Sequence, residues 1–209
     1  TDALIMALKT LDLDPGSEII IPAYSFVSGY LAAICAKYTV KFCDVSLDQN
    51  ISISSLEKTI SEKTKAVLVV HMNGLPAKLD EIRNICKING TKIIEDCAQS
   101  FGSKYKGTFV GNFGEIAAFS LHPLKSFGIA GDGGLVLTNN DNYASKLKAL
   151  RNLGQYKKGD YSIPGLNSRL DTIQAGIALI RLKYFNKTIE KKRKIAQRYL
   201  LEIKNVSIR

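Results

Sequence analysis

Two hydrophobic rhythms alternate along the chain. Short apolar runs occur at residues 18–21 (EIII), 66–70 (AVLVV), 92–95 (KIIE), 116–119 (IAAF) and 135–138 (LVLT), and 39–45 (TVKFCDV) also reads as a strand. Between several of them, apolar residues recur every three or four positions, as at Leu4, Ile5, Leu8 and Leu11, and at Leu79, Ile82, Ile85 and Cys86. Unbroken runs suit strands buried on both faces, and the longer period suits amphipathic helices. The pattern predicts helices over 1–11, 29–37, 54–60, 79–86 and 141–153, with Ser54 or Ser55 capping the third. A long helix is expected over 171–204, weakly interrupted near Asn186. Residues 102–114 are polar and glycine-bearing and read as a hairpin or loop.

Continuous apolar strands alternating with helices mean a mostly parallel sheet covered on both faces, a three-layer α/β/α architecture. In such sheets ligands bind beyond the carboxyl ends of the strands. Phe26, His71, Asp96 and Ser120 all fall at or just past an expected strand end, and Lys125 lies five residues beyond one. A strand-end carboxylate and a loop lysine suit pyridoxal 5′-phosphate (PLP). The lysine, Lys125, can form a Schiff base with it, and Asp96 can hold its pyridine nitrogen protonated. Thr1 and Asp2 are good N-cap types, and a helix start with free N–H groups favours a phosphate.

The strings EDCAQS at 95–100 and FSLHPLKSFGIAGDGG at 119–134 carry a family resemblance. So do TDAL at the start, VHMNGLPA at 70–77 and PGLNSRLDTIQAG at 164–176. Together they resemble the DegT/DnrJ/EryC1/StrS family of PLP-dependent sugar aminotransferases, over essentially the whole chain. The resemblance implies the large domain of the aspartate-aminotransferase-like fold (fold type I). It implies that Lys125 carries the cofactor, Asp96 pairs with the ring nitrogen and Gln99 contacts the ring hydroxyl. Phe26 would stack on the ring, while Ser120 and the backbone at Thr1 and Asp2 would bind the phosphate. Asn167 would reach across a homodimer interface to the partner's phosphate. The implied reaction moves an amino group, with glutamate the expected donor, to a keto group of a nucleotide-linked sugar.

The family's glycine before TDAL is absent, and the family continues past the long helix into a smaller domain. The expected organisation is therefore a PLP-binding large domain at 1–170 and a helix at 171–209 leading to a missing domain, in a chain truncated at both ends. Two alternatives stay open: a non-catalytic remnant that binds cofactor or dimerises without turnover, and a PLP-dependent sugar dehydratase. The retained Lys125 disfavours the second, because histidine replaces the lysine in those relatives. Taken alone, Phe26 reads as core, His71 as a structural hydrogen-bonding residue and Asn167 as a loop residue. Arg169 suits either an acidic substrate group or a structural carboxylate.

Composition changes this picture little. Hydrophobic residues make up 45% of the 209, enough for a buried core. No apolar run approaches the roughly 18 residues of a membrane span. No basic leader precedes Asp2, so a cytoplasmic location is the default expectation. The net charge of +10 could suggest nucleic acid, but residues 181–209 hold ten Lys/Arg and two Glu and so account for +8 of it. A basic helix near one end reads as a solvated face, and no nucleic-acid-reading motif accompanies it. The four cysteines form no C-x-x-C pair, and no metal site is expected.

Overall fold

The computed structural model describes residues 1–204. The chain runs α1 (Asp2–Thr10), β1 (Glu18–Pro22), α2 (Ser28–Cys35), β2 (Thr39–Cys43), α3 (Ile53–Thr59) and β3 (Thr64–Val70). A 3-10 turn (Met72–Gly74) leads to α4 (Leu79–Ile88) and β4 (Lys92–Asp96). A short antiparallel hairpin, β5 (Lys104–Tyr105) with β6 (Thr108–Phe109), precedes β7 (Ile116–Ser120), β8 (Gly134–Leu137), α5 (Asp141–Leu150) and α6 (Thr172–Glu202). The main sheet has the order β2-β1-β3-β4-β7-β8. Its first five strands are parallel, and β8 returns antiparallel to β7. The expected α/β class and mostly parallel sheet are what the chain forms.

Side chains along a strand point alternately to opposite faces, and this divides the core in two. Ile20, Val67, Val69, Ile93, Ala117 and Phe119 pack with Leu56 of α3 and Leu79, Ile82 and Ile85 of α4. Ile19, Ile21, Ala66, Leu68, Ile94, Ile116 and Ala118 pack with Leu4, Ala7 and Leu8 of α1 and Ala32 and Ala33 of α2. Central β3 is buried on both faces, which explains its unbroken apolar run. Each such Val or Leu contributes about 1.5–3 kcal/mol on burial.

The helices differ from expectation where a backbone or polar group decides. α2 stops at Cys35 because Lys37 turns left-handed, with φ 65°. α3 is capped by Ser52, whose Oγ accepts from the Ser55 N–H, rather than by Ser54 or Ser55. Ser55 lies inside the helix, and its hydroxyl accepts instead from the Asp44 N–H. α5 ends at Leu150, three residues short of expectation, and Leu153 beyond it is left-handed. β2 ends at Cys43, and Val45 makes only an isolated bridge to Ile51. Helix α6 runs through Asn186 without a break.

The first part of α6 packs against the body. Phe185 meets Phe101 and Phe127 edge-on, with ring centroids 5.1 and 5.5 Å apart, while Phe101 and Phe127 stack at 4.3 Å. None of the described residues of α6 is buried. No helix among the described residues is long and apolar enough to cross a membrane.

Burial separates the thiols. Cys43, Cys86 and Cys97 are buried, and Cys35 is exposed on α2. Burial pushes the Cys86 thiol up to about 12 and raises those of Cys43 and Cys97 as well. Only the thiolate is a nucleophile. One thiol per native chain should therefore react quickly with a disulfide-exchange reagent at pH 8, and all four after denaturation. A second fast thiol in the native protein would contradict this packing.

Candidate active site

The site lies at the carboxyl edge of the parallel strands. Val70 and Ala118 flank Asp96 in register, and Ser120 lies two residues further along β7. Alternation places Asp96, Ala118 and Ser120 on the α1/α2 face, and Glu95 and His71 on the α3/α4 face.

Glu95 and Asp96 are neighbours with opposite circumstances. Both Glu95 oxygens are occupied. Oε2 accepts from the Gly111 N–H at 2.7 Å and faces His71 Nε2 at 3.1 Å, while Oε1 accepts from the Phe113 and Gly114 N–H groups at 2.7 Å each. His71 Nδ1 accepts from the Ala77 N–H at 3.2 Å, so its proton sits on Nε2 and is donated to Glu95. Burial alone would raise the Glu95 pKa, but the hydrogen bonds from His71, Gly111 and Gly114 prevail and hold it below the usual carboxylate value. Cys97 lies beside this pair, and the three could in principle ligate a metal. The lone pairs of Glu95 and His71 Nδ1 already serve N–H donors, so the cluster works as a hydrogen-bonded clamp. It ties the 110–114 loop to β4. His71 thus has the structural role.

Asp96 is buried with a single partner: Oδ1 accepts from the Ala98 N–H at 3.0 Å. Its second oxygen accepts no hydrogen bond among the described residues. Burial raises its pKa, and the Ala98 N–H and Lys125 oppose that shift without overcoming it. A buried carboxylate in this state is stabilised by a cationic donor beside it.

Lys125 is carried over the edge by the connection from β7 to β8. Leu121 anchors both ends, donating its N–H to the Gly133 carbonyl and accepting from the Ile129 N–H, each at 2.8 Å. Gly128 is required there, since a Cβ would stand 2.5 Å from the Pro123 carbonyl oxygen. Lys125 lines a cavity of about 310 Å³ with Asn73, Gln99, Leu124 and Ser126. The Ser126 hydroxyl is buried and has no hydrogen-bond partner among the described residues.

The other expected residues are distributed as follows. Gln99 Oε1 accepts from the Asn73 N–H at 2.9 Å. Ser120 Oγ accepts from the His122 N–H at 3.3 Å, which leaves its own proton to donate. His122 is exposed, and its Nδ1 accepts from the Leu124 N–H within the same turn. Thr1 precedes α1 and makes no side-chain cap bond among the described residues, so the first N–H groups of the helix lack that partner. Asp2 Oδ2 accepts from the Ser168 hydroxyl at 2.7 Å, which brings the 167–168 segment to the start of α1. Asn167 is exposed and bridges Asn152 through its backbone. Arg169 donates to an amide, Asn152 Oδ1 at 3.2 Å, and forms no ion pair with a carboxylate among the described residues. Phe26 is 71% exposed, so it is no core residue. Lys125 and Gln99 share the cavity and Asp96 lies within electrostatic reach of Lys125; Phe26 and Asn167 line no part of that cavity. Sequence reasoning missed Glu95, which it read only as strand, and Asn73, whose signal was an Asn-Gly pair in a turn.

The model of the DegT/DnrJ/EryC1/StrS aminotransferase family matches residues 1–209. The UDP-N-acetyl-3-dehydro-alpha-D-glucosamine 3-aminotransferase of Acidithiobacillus ferrooxidans is 41% identical over 179 residues, covering 85% of this chain and 48% of that protein. DesV of S. venezuelae, solved in complex with a ketimine intermediate, superposes with a TM-score of 0.91 at 36% identity, over 95% of this chain and 54% of that one. NtdA of Bacillus subtilis, solved with bound cofactor PMP, gives 0.88 at 31%, over 96% and 46%. The chain spans about half the length of the relatives it matches.

The Glu95 clamp sets a stability prediction. Glu95→Gln turns one acceptor into a donor facing N–H groups, and should cost about 2–3 kcal/mol in urea unfolding at pH 7. Because the folded pKa is lowered, the carboxylate contributes fully above its unfolded value of 4.5 and loses that contribution as pH falls through the folded value. The gap between wild type and variant should therefore shrink with acidification below pH 4.5. A gap independent of pH would show that the charge does not matter.

Proposed function

The chain belongs to the DegT/DnrJ/EryC1/StrS aminotransferase family, and from that premise we propose that it binds pyridoxal 5′-phosphate through Lys125 and serves amino-group transfer to a keto group on a nucleotide-linked sugar. The observation that carries this reading is the buried Asp96 carboxylate, with one oxygen lacking a donor, at the same sheet edge as the Lys125 cavity. An acid in that state fits a protonated ring nitrogen. The free hydroxyl proton of Ser120 and the uncapped start of α1 fit a phosphate.

When bound, the cofactor supplies an electron sink for the carbon that bears the amino group. The residues of this chain do the rest. Asp96 would accept the ring N–H and so favour the positively charged nitrogen. Ser120 and the first N–H groups of α1 hold the phosphate. Gln99 would donate from Nε2 to the ring hydroxyl oxygen, and the exposed ring of Phe26, outside the lining of that cavity, would cover a flat face. Lys125 Nζ would hold the cofactor, and its free amine would serve as the base for the proton on the donor's α-carbon. The same amine, protonated, would serve as the acid on the keto-sugar side. Glutamate is the donor in this reading. Asn167 serves a neighbouring subunit's phosphate in a homodimer, residues 1–170 are the cofactor-binding unit, and the reaction is cytoplasmic. Lys125 favours transfer over dehydration.

Borohydride reduction of the full chain with PLP, followed by digestion and mass spectrometry, should place the cofactor on the peptide carrying Lys125. Lys125→Ala should abolish both the label and the visible absorption band. Asp96→Asn should still take the label, but its conversion by glutamate should slow about a hundredfold or more, or about 2.7 kcal/mol. A label on another lysine, or full-speed conversion by Asp96→Asn, would overturn the assignment.

A further inference from the structure

The turn after β3 contains two consecutive left-handed residues, Asn73 (φ 54°) and Gly74 (φ 81°). Glycine takes that conformation freely, and asparagine is the next most tolerant. Four side chains hold the turn. Asn50, 2% exposed in the loop after β2, grips both ends: its Oδ1 accepts from the Met72 N–H at 3.0 Å, and its Nδ2 donates to the Leu75 carbonyl at 3.2 Å. One amide thus meets a donor and an acceptor, and only one orientation satisfies both. Ser103 Oγ donates to the Gly74 carbonyl at 2.7 Å, and His71 Nδ1 accepts from the Ala77 N–H. Gln49 Oε1 accepts from Asn73 Nδ2 at 2.7 Å. Backbone held away from its preferred region by this many partners is found where a group must be aimed.

What the turn aims is the Asn73 N–H, which donates to Gln99 Oε1. That bond decides which way the Gln99 carboxamide faces, because the flipped amide would set two donors against each other. Among the described residues, Gln99 Nε2 then has only the Met72 sulfur at 3.4 Å, a weak acceptor. A donor therefore remains for an oxygen ligand in the cavity that Gln99, Asn73 and Lys125 line. We infer that Asn73 and, behind it, Asn50 are positioning residues, which act through the 71–75 turn to present the Gln99 N–H₂ as a donor to a cofactor oxygen. This rests on the proposed binding of pyridoxal phosphate.

The test is a double-mutant cycle on the PLP dissociation constant of the full chain, read by absorbance, with the pH midpoint of the bound cofactor's visible band as second readout. Gln99→Ala should weaken binding about tenfold and raise the midpoint, since a lost donor destabilises the deprotonated oxygen. Asn73→Val disfavours the left-handed backbone and should do the same. The double variant should be no worse than either single one, because both remove one interaction. Asn73→Gly should recover most of the affinity lost by Asn73→Val. Asn50→Ala should weaken binding in the wild-type background and not in Gln99→Ala; if it fails to fold, the exposed Asn73 pair still decides the matter. Losses that multiply to about a hundredfold, or a midpoint that moves for Gln99→Ala alone, would overturn the relay while leaving cofactor binding intact. A wild-type chain that does not bind PLP saturably would overturn the functional reading, and the relay with it.

Discussion

Two consecutive carboxylates at the end of β4 depend on one geometric constraint, the alternation of the pleat. Glu95 and Asp96 leave the same strand toward opposite faces. Glu95 meets three backbone N–H groups and an imidazole, enough to satisfy a buried charge. Asp96 meets one N–H. A one-residue slip in register would exchange them, placing the unsatisfied acid in the clamp and the clamped acid in the site. The register of β4 between β3 and β7 is therefore what separates structural from chemical charge here. Continuous apolar contact on both faces holds that register.

The second device is the reversal at β8. Five parallel strands deliver their carboxyl ends to one edge, and a further parallel strand would need a crossover leaving that edge. Instead β8 pairs antiparallel with β7, so the connection of residues 121–133 folds back across the edge and carries Lys125. Its shape is set by the Leu121 bonds, by the close approach at Gly128 and by the packing of Phe127 against Phe101 and Phe185. The first half of α6 contributes Phe185 to this cluster. The packing of a distant helix is thereby coupled to the loop that holds the lysine.

On the cavity's other side, the 71–75 turn meets Gln99 through one backbone N–H. Its anchors come from the loop after β2, from His71 and from the segment after β4. Beneath the site Glu95 and Asn50 have their hydrogen-bonding capacity filled, while Asp96 and Gln99 are left with capacity to spare.

Much of this was legible in the residues alone. Unbroken runs such as 66–70 announced strands covered on both faces, and the three-and-four spacing of Leu79, Ile82 and Ile85 announced a helix. The resemblance of EDCAQS and HPLKSFG to a known family marked Asp96, Gln99 and Lys125. Periodicity is local, because burial on a face recurs at the pitch of the element itself, and the chain carries that information residue by residue. Tertiary structure alone decided which buried polar groups are already satisfied. Nothing near Glu95 in the chain reveals that its partners lie at 71 and at 111–114, or that Asn50 grips a turn more than twenty residues away. Nor does local sequence show that Ser55 inside α3 serves the Asp44 N–H while Ser52 caps the helix. Hydrogen-bond satisfaction is settled between segments that meet only when the sheet closes, so it is written in the fold and not in any one stretch of the chain.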